Sequence, residues 1–383
     1  MSLGISSDLN TNYKQCSRCV MDTSDTEIVF DDEIFCNHCN SHLLQMEKIK
    51  NGKDTVNAHL KRKILEIKEG GKNNKYDCIV GVSGGADGCY SAYLCKQYGL
   101  RALLVHMDNG WNSTIAVENI KVVADKLQFD YESFVLDWVE FKDLQLSFLK
   151  ASVPEIETPT DIAILGSLHK LANKYGIKHI IMGCNYYTEG ILPKSWHYDA
   201  KDKKYVKSIH SIFGKEKLKN FPFFDFWTEA YNKFIKRTTI FYLLNYVNYD
   251  RKKAIEILKE LGWKDYLEKH HESHFTKLVQ TYILPLKFNI DYRKVFLSAS
   301  ICNGEITRED ALKTLKYPYY NESKVEGEIE YVCKKLGIST LEFSRIMSSP
   351  TKSYKDYPNN KRITSIIYKI YLFLTNKPEV IKD

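Results

Sequence analysis

The stretch from Asp77 to Leu94, DCIVGVSGGADGCYSAYL, constrains this chain more than any other. A short apolar run with a β-branched excess ends in Ser83-Gly84-Gly85-Ala86-Asp87-Gly88 and passes straight into residues at helical spacing. Strand, glycine turn and helix in direct succession place backbone N–H groups where an anion can approach. Gly84 and Gly85 put no side chain in the way, Ser83 offers a hydroxyl, and the helix turns its positive N-terminal end to the same point. The expected ligand is a polyphosphate, bound by Ser83, Gly84, Gly85, Ala86, Asp87 and Gly88. Asp87 is an odd neighbour for phosphates unless magnesium lies between them or it orders the loop, and the metal role is the one expected. Ser83 and Asp87 are the catalytic candidates. No Gly-Lys-Ser/Thr follows, so the loop is not a Walker A sequence, and the Gly-x-Gly-x-x-Gly dinucleotide pattern is absent as well.

Three further runs, ALLVHMD, YESFVLD and IKHIIMG, read as strands, and the segments between them space apolar residues three and four apart. That alternation predicts an α/β fold, a parallel sheet with helices on both faces. Beyond about Trp196 the strand signal fades into helical, aromatic-rich sequence such as FPFFDFW and FYLLNYVNY. The expected division is a cysteine-rich module over 1–45, a linker helix over 46–75, the nucleotide-binding domain over 76–195, and a helical substrate- or partner-binding portion over 196–383.

Near the start, Cys16-Ser-Arg-Cys19 and Cys36-Asn-His-Cys39 form two Cys-x-x-Cys knuckles that can bring four thiolates to one tetrahedral ion. A module this short has too little apolar content to fold without a crosslink, and zinc is the expected occupant. With four sulfurs the ion has no open position, so its role is structural. A pair of redox dithiols, an iron–sulfur site, and a mixed set in which His38 or His42 replaces a sulfur are the alternatives. The remaining cysteines show no pair spacing and are read as small buried apolar residues.

Lys and Arg number 55 against 48 Asp and Glu, a net charge of +7 that suits anionic small molecules without demanding nucleic acid. The opening residues lack a signal-peptide core and no apolar run reaches bilayer length, so a cytoplasmic protein without membrane contact is expected.

Ser83-Gly84-Gly85-Ala86-Asp87 resembles the pyrophosphate loop, Ser-Gly-Gly-x-Asp-Ser, of the ATP-pyrophosphatase (PP-loop) enzymes, whose fold is adenine nucleotide alpha hydrolase-like. Gly88 departs from the usual final Ser, so one side-chain phosphate contact is missing. HMDNGWNS, ETPTDIAI, MGCNYYTEGILP and GWKDYLEKHHESHFTKLVQTYILPLKFNIDYRK, together with the cysteine pairs, resemble one branch, the N-acetyl sugar amidotransferases of the WbpG and PseA-like group. The resemblance runs from Cys16 to about Leu315. It implies an ATP-dependent, AMP-forming enzyme that converts a sugar's acetamido group to an acetamidino group in surface-polysaccharide (lipopolysaccharide) or pseudaminic-acid-type nonulosonic acid biosynthesis. It also implies ammonia from a separate glutaminase subunit with a barrel-type companion.

At the carboxyl end of the second strand, Asp108 and Asn109 are placed to meet the nucleotide or its metal, with a simple turn as the bland account. On the same rim, Asn185 and Glu189 are the sugar-contact candidates. Thr158-Pro159-Thr160-Asp161 reads from sequence as a helix start, and the resemblance draws it toward the active site. Lys277, with His270 and His271, lies in the matched stretch and is a candidate to neutralise charge on pyrophosphate, against the default of a solvated lysine. A tRNA-thiolating PP-loop enzyme and a non-catalytic nucleotide-binding scaffold are the rival readings; no catalytic cysteine pair after the loop supports the first.

Overall fold

The computed structural model describes residues 13–266 and 272–367. Five parallel strands, β1 (Cys78–Gly81), β2 (Ala102–Asp108), β3 (Asp130–Val135), β4 (His179–Ile181) and β5 (Thr239–Phe241), form one sheet in the order β3-β2-β1-β4-β5. β1 is central. Val80 pairs with Leu104 on one side and Ile181 on the other, and both β1 and β4 are buried almost throughout, as their unbroken apolar runs require.

Six helices lead up to and cover this sheet: α1 (Asn37–Asn51), α2 (Lys53–Gly71), α3 (Ala86–Gln97), α4 (Thr114–Leu127), α5 (Trp138–Ala151) and α6 (Thr158–Tyr175). Because successive strand residues point to opposite faces, Val80, Leu104 and Ile181 pack with Ala92, Ile120 and Val123 of α3 and α4. Ile79, Leu103 and Ile180 pack on the other face with Leu168, Leu171 and Ala172 of α6. The expected two-faced parallel sheet is present.

Two boundaries differ from the sequence reading. β5 comes from the segment after Trp196 that reads as helical; its three residues, Thr-Ile-Phe, are too few to show a period of two. The expected linker over 46–75 belongs to two helices, and Leu60, Ile64 and Ile67 of α2 bury into the same core as β1, so that segment is part of the body.

The strand order sets the position of the site. From β1 the chain moves outward one way through β2 and β3, then returns to build β4 and β5 on the other side. β1 and β4 therefore flank a topological switch point, where the loops leaving their carboxyl ends diverge and leave a crevice.

Candidate active site

The crevice is a cleft of about 510 Å3 lined by Ser83, Gly85, Ala86, Asp87 and Gly88 from the β1 loop, Gly183 and Cys184 from the β4 loop, and residues from several further segments. Gly84 has φ +90°, and a Cβ there would lie 2.5 Å from the Ala116 carbonyl oxygen, so only glycine fits. Its own carbonyl accepts from Trp263 Nε1 (2.8 Å), Tyr266 Oη (3.2 Å) and Asn119 Nδ2 (3.4 Å). Since the peptide is planar and trans, the Gly85 N–H points the opposite way, toward Ser83 Oγ (3.4 Å). Gly85 is the N-cap of α3 and has no side chain to make a capping hydrogen bond, so nothing on that residue obstructs an anion approaching the helix start.

Asp87 lies in the first turn of α3. Tyr249 Oη donates to its Oδ1 and Asn185 Nδ2 to its Oδ2 (3.3 Å), so the carboxylate is aimed by the β4 loop and by the segment after β5. Burial and the charge of Asp87 raise the Tyr249 pKa, which keeps its proton in place to donate. Asn185 also caps the short helix Tyr186–Glu189 by accepting from the Thr188 N–H. The β4 loop sits hard against the phosphate loop: a Cβ on Gly183 would come within 2.5 Å of the Gly88 nitrogen. Gly88 itself is tight, since a Cβ added to it would meet the Gly81 oxygen at 3.1 Å, so the missing serine corresponds to a close approach between α3 and β1.

Several cleft groups have no signature in the sequence. Glu272 seats its carboxylate on the loop, accepting from Ser83 Oγ at 3.0 Å, and its carbonyl accepts from the Ser113 N–H. An antiparallel bridge between Asn112 and Ser273 fixes that segment to the loop after β2. His106, on β2, donates from Nδ1 to the Val82 carbonyl (3.0 Å). Burial lowers its pKa, so the ring is neutral, and its Nε2, buried and without a partner among the described residues, is an acceptor.

Of the residues expected from sequence, Asn109 and Glu189 line the cleft. Asp108 instead ties down its own loop, accepting from the Gly110 N–H (2.8 Å) and Asn112 Nδ2 (2.9 Å). Lys277 is ion-paired with Glu328 and is not among the cleft-lining residues. Its position follows from helix geometry: Ser273, Thr276 and Gln280 take the inner face of that segment and Lys277 the outer. His270 and His271 lie outside the described residues.

The family model of the LPS biosynthesis protein WbpG-like, C-terminal domain, matches residues 272–371. This segment is WbpG-like. Glu272, Ser273, Thr276, Val279 and Gln280 of the WbpG-like segment line the same cleft as the phosphate loop. No curated protein matches the chain by sequence. Solved structures similar to it include NMN synthetase from Francisella tularensis (13% identity, 69% of this chain and 91% of that one, TM-score 0.36). Others are the U34-tRNA thiolase NcsA from Methanococcus maripaludis with its [4Fe-4S] cluster (14%, 79% and 88%, 0.34) and a predicted subunit of tRNA methyltransferase from Methanocaldococcus jannaschii (15%, 48% and 75%, 0.30). At such distance it is the strand order, and not the likeness, that defines the fold.

Away from the cleft, Cys16, Cys19, Cys36 and Cys39 converge, all four sulfurs within 4.8 Å of one another, with Cys16–Cys39 at 3.7 Å and Cys19–Cys36 at 3.6 Å. Four sulfurs about 2.3 Å from one tetrahedral ion stand about 3.8 Å apart, so the site fits a single metal ion. Neither histidine replaces a sulfur: His38 pairs with Asp25 (2.6 Å), and His42 bonds Asn303 through Nε2 (3.1 Å). The WbpG-like segment clamps the module, with Arg308 donating to the Cys16 and Cys19 carbonyls (2.9 and 3.0 Å) and Lys294 pairing with Asp22. Among the described residues no helix is long and apolar enough to cross a membrane.

Proposed function

We propose that the protein is an ATP-dependent, AMP-forming amidotransferase that converts the acetamido group of a sugar to an acetamidino group. One observation carries this reading: the glycine loop that suits a polyphosphate and the WbpG-like segment open onto a single cleft.

An amide carbonyl is a weak electrophile with a very poor leaving group, so activation has to precede amination. The triphosphate lies along Ser83–Gly88, the acetamido oxygen attacks the α phosphorus, and pyrophosphate departs toward the start of α3. Ammonia then adds to the carbon and AMP leaves. The chain supplies position and charge stabilisation, and no protein nucleophile is needed. Magnesium, when bound, neutralises phosphate charge; the carboxylates of Glu272, on the loop, and Asp87, aimed by Tyr249 and Asn185, are the groups to hold it. The four-cysteine site suits zinc: a multi-iron cluster interposes iron and sulfide between its ligands and spreads the thiolates beyond the spacing seen here.

Ammonia is assigned to a separate glutaminase subunit. We place its docking on the helical segment 226–236, where Trp227, Tyr231, Phe234 and Ile235 are exposed together. Lys236 and Arg237 are exposed beside them, which suits an acidic-rimmed partner.

The test is incubation with ATP, ammonium and a panel of free, UDP-linked and nonulosonate N-acetyl sugars. AMP, pyrophosphate and a sugar in which NH has replaced O are expected. Release of ADP would overturn the reading, and AMP release that depends on tRNA would move it to the thiolating enzymes.

A further inference from the structure

The end of the cleft at the start of α6 holds groups that the phosphate chemistry does not use. Glu155, Glu157 and Asp161 line it, with Tyr292 across from them. Three polar atoms here are buried and have no partner among the described residues: Glu157 Oε1, Thr160 Oγ1 and, from the 194–196 turn, Trp196 Nε1, whose residue is only 3% exposed. Buried polar atoms are almost always paired, so a set of orphans on residues that line one cavity points to a ligand there. An orphan carboxylate oxygen and an orphan indole N–H together ask for a ligand that both donates and accepts, as a secondary amide does.

The proposed first step has a proton to place. As the acetamido oxygen forms its bond to the α phosphorus and the bond from that phosphorus to pyrophosphate breaks, the nitrogen must give up its N–H proton for the C=N bond of the imidate to form. Without a base the product is a cation. Resting on the amidotransferase reading, we propose that Glu157 is the general base that takes this proton through Oε1, with Trp196 Nε1 holding an acceptor atom of the same sugar. The N–H bond breaks, its electron pair becomes the C=N bond, and the proton ends on the carboxylate. Asp161 is the less suitable base because neither of its oxygens is among the buried, unpartnered atoms, as Glu157 Oε1 is.

The electrostatics agree with this role. Burial, and after it the charge of Asp161, raise Glu157 to about 8, opposed by a hydrogen bond from Thr276. Burial raises Asp161 to about 7. Glu155, raised to about 7 by burial, accepts from Tyr205 (3.4 Å), and burial and the three carboxylates raise Tyr292. Glu157 acts as a base only when ionised, so the adenylation rate should rise with pH up to and through about 8.

The test uses the full chain with ATP and whichever N-acetyl sugar of the panel the wild type amidates, following AMP against pH. Glu157→Gln should lose about 100-fold or more in AMP formation and its alkaline rise, with ATP affinity unchanged. Glu157→Asp should recover part of the rate, and Asp161→Asn should keep the rise but shift it to lower pH. An unaltered pH profile in Glu157→Gln, while the wild type makes the amidine, overturns Glu157 as base and leaves the amidotransferase reading standing. A wild type that makes no AMP with any of these sugars overturns both. Thermal melting of each variant separates a misfolded protein from an inactive one, and Glu157→Asp supplies a second variant if Glu157→Gln does not fold.

Discussion

Replacing Tyr249 by Phe removes one oxygen atom and keeps the ring, so it isolates the hold on Asp87. The ring's neighbours, Tyr90 at 5.8 Å and Tyr187 at 6.2 Å, remain, and Tyr249 is 5% exposed, so the fold should survive. The loss is a hydrogen bond to a carboxylate in a confined site, worth about 1.5–3 kcal/mol. At about 1.4 kcal/mol per factor of ten, that is about 10- to 150-fold in the AMP-forming rate if the aim of Asp87 matters in the transition state. The assay is pyrophosphate release under saturating ATP, with melting temperature as the control. Asn185→Ala removes a second donor, and the double variant should lose less than the product of the two single effects, because both act through one carboxylate. A Tyr249→Phe enzyme within about threefold of wild type would refute the idea that Asp87 is aimed for catalysis.

Gly183→Ala should cost about 1–3 kcal/mol of stability and weaken ATP binding, since its methyl must displace the Gly88 nitrogen 2.5 Å away; calorimetric titration with ATP checks this. Cys36→Ser should remove bound metal, measured by elemental analysis, and lower both melting temperature and activity. The module connects to Asp87 through His42, which stacks on Tyr186 at 5.0 Å and bonds Asn303, and through Asn185 beside that ring. Trp227→Asp with Phe234→Asp should abolish glutamine-dependent activity in the presence of the glutaminase while leaving ammonium-dependent activity intact.

The phosphate loop and the four cysteines are legible in sequence because each is local: the chemistry and the turn that presents it lie within a few residues. β1 through β4 are legible for the same reason. What escapes is contact at a distance. Glu272 lies 189 residues from Ser83, Trp263 is 179 from Gly84, and Tyr249 is 162 from Asp87, and nothing in a glutamate, a tryptophan or a tyrosine announces such a partner. His106 is hidden differently, inside an apolar strand that already has a sufficient structural explanation. Lys277 shows the converse, a cation in a matched motif whose helix turns it outward to Glu328.

The edge strand β5 and the tyrosine that follows it make dissection of this chain hazardous. A fragment ending at residue 195 would carry every glycine of the loop, yet it would present the bare edge of β4 to solvent and invite stacking between molecules. It would also leave Asp87 without its phenol and Gly84 without its indole. Failure of such a piece to bind nucleotide would therefore say nothing about the loop, and swaps between relatives should exchange the chain whole.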